Sequence, residues 1–223
     1  MRKRSLMGKK AVLVGASGLI GSNLLTILLQ DNFYDKVLVL VRKELPIHHS
    51  KLEQLITDFD QLNSYGSAIN GEALFCCLGS TKAKTPDLKE YSKVDHDYPL
   101  QLAKIAFKNG MKQFHLVSSI GANAFSSNFY TKMKGQTESD IKKVRLNCLH
   151  IYQPSVLEGD RNEKRTSEKQ ILRFMKFIDP LLISIFKKYR SIPAPTVAMA
   201  MYNQSTKQMS GVFTWTSDKI KEL

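Results

Sequence analysis

Two residues in the second half of the chain have types and spacing suited to acid–base chemistry. Tyr130 and Lys134 are four positions apart, which places both side chains on one face of a helix. A phenol is a poor acid or base at neutral pH, and a neighbouring ammonium stabilises its phenolate form. Ser119 lies 11 residues before Tyr130 and could polarise a substrate carbonyl, with Ser118 as the alternative. These residues predict proton transfer to a carbonyl or from an alcohol.

A glycine-rich turn near the start of the chain predicts a phosphate site. Gly15, Gly18 and Gly21 follow a short apolar segment and open a second segment of helical composition. Gly15 would let the chain turn, Gly18 would let the backbone approach a pyrophosphate, and Gly21 would allow close helix–sheet packing. The free N–H groups at the helix N-terminus favour phosphate oxygens. We therefore expect a dinucleotide to bind here.

The residues after the second apolar segment favour NADP over NAD. An NAD site usually carries an acidic residue there, which accepts a hydrogen bond from the ribose. Here Arg42 and Lys43 follow the strand, and Glu44 comes one step later. Two cations suit a 2′-phosphate. The alternative is a basic loop that contacts only solvent. We expect NADP, with NAD possible, and Ser17 and Arg42 as the phosphate contacts.

Short apolar segments alternate with helical ones along most of the chain, which predicts repeated βαβ units. The predicted strands are 10–14, 36–41, 52–57, 73–78, 114–117 and 148–152, and the main predicted helices are 19–30, 95–109 and 129–144. We expect an α/β fold, a Rossmann-like doubly wound parallel sheet of order 3-2-1-4-5-6 with a small C-terminal cap.

The expected domain organisation is simple. Residues 1–9 form a basic arm, and 10–223 form a single NAD(P)-binding domain with a substrate cap from about residue 155. A cap of this length is marginal for an independent core. It would contain an apolar helical pair over 170–189, a short helix over 197–202 and a late strand over 212–216. We expect the apolar segment 174–186 to pack against the sheet or across the substrate cleft, and the alternatives are a dimer interface or a peripheral membrane contact. A homodimer or a protein partner is therefore possible.

Charge and composition argue against a nucleic-acid-binding protein and against a membrane-spanning one. The chain has 223 residues with 33 Lys+Arg against 20 Asp+Glu, a net charge of +13. The lysines are dispersed without an aromatic-interleaved basic stripe, so we expect a solvated surface and no specific nucleic acid. The apolar segment 11–29 contains glycine, serine and asparagine, which argues against a transmembrane or signal segment.

Cysteine and histidine usage leads to two further expectations. Cys76, Cys77 and Cys148 are too few for a disulfide framework, which predicts reduced thiols and a cytoplasmic protein. The histidines at 48–49 and 96 lack metal-ligand spacing, so no metal is expected.

The order of glycine loop, VSS strand end and YxxxK helix resembles the short-chain dehydrogenase/reductase superfamily. The stretches GASGLIGSNL, DFD, CCLGST, VDHDY and GDR are similar to its atypical NAD(P)-binding subgroup of Tat-interactive-protein-like oxidoreductases, over about residues 10–161. The resemblance implies that Ser119, Tyr130 and Lys134 are catalytic. One departure is that Val94-Asp95 replaces the helix asparagine that often completes a proton relay, and Asp95 could still orient a water.

The resemblance also implies a set of cofactor contacts, which follow the nucleotide from its phosphates to its adenine, ribose and nicotinamide. They are Gly15, Ser17, Gly18, Leu19, Ile20 and Gly21 in the loop, Arg42, Lys43, Asp58 and Phe59 on the adenine side, Cys77, Leu78, Gly79, Tyr130 and Lys134 near the ribose, and Pro154, Ser155 and Val156 near the nicotinamide.

These inferences together predict an NADP-dependent oxidoreductase acting on a small carbonyl or alcohol. The carbonyl, held by Ser119 and Tyr130, would receive hydride from NADPH and a proton from Tyr130. Two alternatives remain: an NAD(P)-dependent epimerase or dehydratase that uses the same tyrosine and lysine, and a non-catalytic NADP(H)-sensing regulatory protein.

Overall fold

The computed structural model describes residues 8–80, 85–158 and 184–223 of the protein. Their strands are β1 (Lys10–Val14), β2 (Lys36–Val41), β3 (Leu52–Ile56), β4 (Ala73–Cys76), β5 (Gln113–Val117), β6 (Cys148–Gln153), β7 (Leu157–Glu158), β8 (Ile192–Pro193) and β9 (Gly211–Thr216). Seven of them form a parallel sheet in the order β3-β2-β1-β4-β5-β6-β9, and β7 pairs with β8. The predicted Rossmann-like order of the first six strands is confirmed.

The helices flank this sheet. They are α1 (Leu19–Gln30), α2 (Leu88–Ser92), α3 (Tyr98–Lys108), α4 (Phe129–Lys143), α5 (Ala194–Ser205) and α6 (Ser217–Ile220), with 3-10 turns at Phe59–Tyr65 and Ser184–Tyr189 and a π-helical turn at Lys93–Asp97. The helix predicted over 95–109 starts earlier, because α2, the π-helical turn and α3 follow one another directly. Asp87 caps this run, since its side chain accepts hydrogen bonds from the N–H groups of Lys89 and Glu90 at 2.7 and 3.1 Å.

Alternate residues of the strands supply two apolar layers. In β1, Ala11 and Leu13 face a cluster that includes α1 and α5, whereas Val12 and Val14 face a second cluster that includes α3. All four side chains are fully buried. The strands β1, β2, β4, β5 and β6 are thus covered on both faces, as the nearly continuous apolar composition of most of them predicts, whereas the edge strands β3 and β9 are partly exposed.

The last described elements belong to the main layers. Helix α5 packs against α1, and β9 pairs with β6 at the edge of the sheet. The helix predicted over 197–202 is longer than expected, because α5 runs from Ala194 to Ser205. The strand predicted over 212–216 is β9, which adds a seventh strand to the main sheet. The substrate cap stays a prediction for the intervening chain, because residues 159–183, with most of the expected apolar helical pair, lie outside the described residues. The basic arm lies outside them too, except for its last two residues.

A row of aromatic side chains crosses four strands on the α1 side of the sheet. The rings of Phe75, His115, His150 and Phe213 stack at centroid separations of 4.7, 4.7 and 5.1 Å. The indole N–H of Trp215 donates to Nδ1 of His150 at 3.1 Å, so this nitrogen is an acceptor and carries no proton. Burial lowers the pKa of His150 to about 4 and that of His115 well below its usual value. Both imidazoles are thus neutral in the folded protein at neutral pH.

This neutral pair makes the fold sensitive to acid. The pKa of His150 is lower in the folded protein than its value of 6.5 in an unfolded chain, so the unfolded chain binds a proton first as the pH falls. The unfolding free energy of the unaltered protein falls as the pH is lowered from 6.5 to 4. We expect this fall to be smaller in His150→Gln, by up to about 3 kcal/mol. Urea unfolding at several pH values measures this difference.

The exposed loop residue His48 provides the control. His48→Gln should leave the pH dependence of the unfolding free energy as in the unaltered protein. A His150→Gln protein that loses stability with acid as steeply as the unaltered protein would contradict the role given to His150.

Candidate active site at the carboxyl edge of the sheet

The first and third glycine positions of the loop are fixed by close main-chain contacts. Gly15 has a φ of +87°, and a Cβ there would lie 2.5 Å from the carbonyl oxygen of Cys77. A Cβ on Gly21 would lie 2.1 Å from the carbonyl oxygen of Gly15. Because no side chain fits at either position, the turn after β1 lies directly against both the end of β4 and the first turn of α1.

The N-terminus of α1 is open to a ligand. Its N-cap residue is Gly18, whose N–H donates to the Gly15 carbonyl at 2.9 Å, and no side chain caps the helix. The N–H groups of Leu19 and Ile20 belong to the first turn, which has no intrahelical acceptor for them. Ser17 and Gly18 are exposed. This exposed cradle of backbone donors fits the diphosphate of a dinucleotide.

The ends of β2 and β3 carry the residues expected on the adenine side. Arg42 and Lys43 are both exposed directly after β2. Asp58 follows β3 and caps the next turn, accepting hydrogen bonds from the Asp60 N–H and the Gln61 side chain at 3.0 Å each. The ring of Phe59 is buried in the α3-side cluster. Arg42, Lys43 and the exposed Asp58 thus border the expected adenine site, whereas the Phe59 ring is committed to the core.

The catalytic pair predicted from the sequence lies at the start of α4. The Asn128 side chain caps this helix by accepting from the N–H groups of Tyr130 and Thr131 at 3.0 and 3.2 Å. Tyr130 is 38% exposed, whereas the Lys134 side chain, one turn further on, is 7% exposed. A half-exposed phenol therefore lies on the same helical face as a buried amine.

The buried amine has an acidic partner that the sequence analysis did not pair with it. The Nζ atom of Lys134 lies 2.7 Å from Oδ1 of Asp95, whose side chain is fully buried. Burial lowers the pKa of Lys134, but the charge of Asp95, the neighbouring phenol of Tyr130 and the hydrogen bond to Asp95 together outweigh this effect, so the net pKa is raised. Lys134 is consequently an ammonium at neutral pH. A glycine borders both groups, because a Cβ on Gly79 would lie 3.7 Å from Asp95 Oδ1 and 3.8 Å from Lys134 Nζ.

The two serines after β5 have different surroundings. The buried Ser118 donates its hydroxyl hydrogen bond to Oε1 of Glu138 at 2.5 Å, and the same carboxylate accepts from the Gln153 side chain at 2.9 Å. Ser119 is half-buried, and its hydroxyl lies 3.4 Å from the carbonyl oxygen of Ile120. The engaged hydroxyl of Ser118 therefore favours Ser119 as the serine that meets a substrate.

A glycine inside α4 holds the loop after β5 close to the helix. A Cβ on Gly135 would lie 2.2 Å from the nitrogen of Ala124, so the loop backbone rests on the helix at this point. Sequence reasoning missed this contact, although a glycine in the middle of a helix, directly after Lys134, is an available indication. The contact sets the distance between the loop that follows Ser119 and the helix that carries Tyr130.

The segment after β6 completes the same edge. The Pro154 carbonyl accepts from the N–H of Ile120 at 2.9 Å, and the Ser155 N–H donates to the hydroxyl of Ser217 at 2.8 Å. The Val156 carbonyl accepts from the Ile192 N–H at 3.0 Å. Residues 154–156 are thus tied both to the loop after β5 and to the last elements of the chain.

The sequence-predicted residues therefore lie together at the carboxyl ends of β1 to β6, where doubly wound sheets bind ligands. Cys77 and Leu78 follow β4 at this edge, and Cys76, Cys77 and Cys148 are free thiols. Within the described part of the chain, no three His, Cys, Asp or Glu side chains form a group that could hold a metal ion. The helices of that part are all too short or too polar to cross a bilayer.

Comparison with known proteins gives relatives over most of the chain. The protein HTATIP2 of Rattus norvegicus is 32% identical over 210 residues, which cover 92% of this chain and 85% of that protein. The mitochondrial protein FMP52 of Kluyveromyces lactis is 36% identical over 154 residues, covering 68% of this chain and 69% of that protein. The expected resemblance to Tat-interactive-protein-like proteins is confirmed.

The expectation of a cytoplasmic protein is wrong. FMP52 proteins of several fungi, including those of Kluyveromyces lactis and Saccharomyces cerevisiae, match this chain and are named mitochondrial. The prediction failed because free thiols indicate a reducing environment and do not distinguish one reducing compartment from another.

Solved structures of other proteins confirm the fold, and a match to a family model shows which family the chain belongs to. The UDP-N-acetylglucosamine 4-epimerase of Methanobrevibacter ruminantium superposes with a TM-score of 0.68 at 17% identity, over 97% of this chain and 81% of that one. MoeE5 in complex with UDP-glucuronic acid and NAD gives 0.71 at 15% identity, over 93% and 76%. The model of the NAD dependent epimerase/dehydratase family matches residues 11–184. With its glycine cradle and its tyrosine–lysine helix at one edge of the sheet, this chain belongs to the NAD-dependent epimerase/dehydratase family.

Proposed function

We propose that the protein is an NADP-dependent oxidoreductase that acts on a small carbonyl or alcohol substrate. The observation that carries this proposal is the buried ammonium of Lys134, one helical turn from the half-exposed phenol of Tyr130. Such an arrangement suits a phenol that must give and recover a proton. The names of the FMP52 relatives support a mitochondrial location for this activity.

The chain's own residues would bind, orient and protonate the substrate. A bound nicotinamide dinucleotide supplies or accepts the hydride. The hydroxyl groups of Ser119 and Tyr130 donate hydrogen bonds to the substrate oxygen, and Tyr130 transfers its proton to that oxygen during reduction. The Lys134 ammonium stabilises the phenolate left behind. The three side chains come from a strand end and one helix, so the substrate is held in a fixed orientation and the entropic cost of reaction falls.

The preference for NADP is supported by charge at the end of β2. Arg42 and Lys43 are exposed side by side where the adenine ribose of a dinucleotide would lie. A 2′-phosphate forms charge-assisted hydrogen bonds with such cations.

The charge at Arg42 gives a test of nucleotide preference. We expect Arg42→Ala to weaken NADPH binding by about 1.5 kcal/mol, roughly tenfold, because one charge-assisted contact is lost. NADH has no 2′-phosphate, so its affinity should change little. Isothermal titration calorimetry with both nucleotides measures the difference.

Lys36 supplies a matched control, because it is an exposed cation at the opposite end of the same strand. Lys36→Ala should leave both affinities unchanged. Equal losses for NADPH and NADH in the Arg42→Ala protein would contradict the assignment of Arg42 to the phosphate.

The catalytic assignment is tested by removing single hydroxyl groups. Tyr130→Phe should lower NADPH-dependent turnover of an aldehyde and ketone panel by about 10²–10⁴-fold, since the proton donor is lost. Nucleotide affinity should remain close to that of the unaltered protein. Ser119→Ala should also lower turnover, whereas Ser118→Ala should mainly lower stability, because buried Glu138 loses a donor.

The panel also separates oxidoreduction from other possibilities. The absence of turnover by the unaltered protein, together with a Tyr130→Phe variant that behaves identically, would exclude the enzyme proposed here and favour a nucleotide-sensing protein. Greater loss of turnover in Ser118→Ala than in Ser119→Ala would reverse the serine assignment.

An epimerase or dehydratase is the second candidate, because the matching family model and several solved neighbours are of that kind. The same tyrosine and lysine would serve either reaction. Interconversion of nucleotide sugars without net consumption of added nucleotide would support this candidate over the oxidoreductase.

A further inference from the structure

Asp95 is held at the site by contacts on three sides. It lies on the π-helical turn between α2 and α3, and π-helical turns are often found at functional sites. Its Oδ2 atom accepts a hydrogen bond from the Ser80 N–H at 2.7 Å, and its carbonyl oxygen accepts one from the Thr137 hydroxyl at 3.0 Å. Its Oδ1 atom is the one that contacts Lys134, at 2.7 Å. The carboxylate therefore links the segment after β4 to helix α4.

Burying the Lys134–Asp95 ion pair costs free energy, and packing alone does not explain why the pair is there. Moving two charges out of water is unfavourable, and buried ion pairs often add little to stability compared with apolar groups of the same volume. Lys134 and Asp95 are nevertheless 7% and 0% exposed. A lone lysine buried to this degree would tend to lose its proton, because burial disfavours the charged form. Asp95 supplies the largest compensating charge, and the phenol of Tyr130 on α4 and the thiol of Cys76 on β4, which also face the ammonium, raise its pKa to a smaller extent.

The buried pair lies close to an exposed stretch of backbone at the edge of the sheet. Gly79 is exposed, and a Cβ on it would lie within 4 Å of both Asp95 Oδ1 and Lys134 Nζ, so the only cover at this point is a residue without a side chain. A ligand lying across this edge would therefore meet the ammonium in the position that Asp95 gives it.

We propose that Asp95 is a positioning residue that keeps Lys134 charged and fixed in place, so that binding of a pyridine nucleotide is insensitive to alkaline pH. The inference rests on the proposed function in one respect, namely that a dinucleotide is the ligand that meets Lys134. The part that concerns the charge state of Lys134 is a property of the protein alone.

The test uses Asp95→Asn and two readouts on the full chain. The first is the ¹³Cε chemical shift of Lys134 between pH 7 and pH 10 in the ligand-free protein, assigned by its loss in Lys134→Arg. We expect Lys134 to stay charged over this range in the unaltered protein and to lose its proton within it in Asp95→Asn. The second is NADPH affinity by calorimetry, which in Asp95→Asn should fall by about tenfold per pH unit above the midpoint of that titration.

Two further variants serve as controls. Asp97 lies on the same π-helical turn with a 57% exposed side chain, so Asp97→Asn should leave the Lys134 titration unchanged. Asp95→Glu retains the carboxylate and should keep Lys134 charged. A loss of the Lys134 proton in Asp97→Asn as early as in Asp95→Asn would overturn the assignment to Asp95.

Each remaining outcome decides the proposal. Identical Lys134 titrations in Asp95→Asn and the unaltered protein would overturn it, even if nucleotide still binds. An unaltered protein that binds no pyridine nucleotide at millimolar concentration would defeat the proposed function, while the titration would still decide the role of Asp95. If Asp95→Asn does not fold, recovery of folding in Asp95→Asn/Lys134→Gln would support the pairing, because no unpaired ammonium remains buried, and continued failure would contradict it.

Discussion

The position of the whole site depends on one close approach of main chains. The carbonyl of Cys77 at the end of β4 and the carbonyl of Gly15 at the end of β1 leave no room for side chains at Gly15 and Gly21. From β1 the chain proceeds to β2 on one side, and β4 lies on the other side, so the strand order reverses here. Doubly wound sheets open a crevice at such a point. Within the described residues, the candidate site residues at the ends of β1 to β6 are arranged around it.

The crevice is bordered by two kinds of charged group, namely exposed cations and a buried ion pair. Arg42 and Lys43 are exposed to water, where salt screens their attraction for a ligand. Lys134 and Asp95 are buried, so their mutual attraction is strong and little affected by salt. The first pair can favour one ligand over another, and the second fixes the geometry of the helix face that carries Tyr130. Under the proposed function, the charges that select the nucleotide and those that assist proton transfer would thus be physically separate along the same edge.

Patterns local in sequence predicted most of the fold and the positions of the candidate site residues at one edge of the sheet, and long-range contacts account for the misses. Apolar segments predicted the first six strands of the sheet, most clearly β2 and β4, because a strand buried on both faces is apolar throughout. The start of α2 was missed although Asp87 is a typical N-cap residue, and the partnership of Asp95 with Lys134 requires knowing that the π-helical turn packs on α4. Likewise, β9 was expected in a cap because strand pairing across 60 residues leaves no local pattern.

The pairing of distant segments also constrains how the protein is made. The apolar face of α1 is covered by α5, and β6 obtains its outer neighbour from β9, so both elements depend on residues after 193. A ribosome releases the chain from its N-terminus, which leaves leucines such as Leu24 and Leu28 uncovered for most of the time of synthesis. The nascent chain therefore exposes an apolar helix face and an open strand edge until α5 and β9 have emerged, and such surfaces favour aggregation.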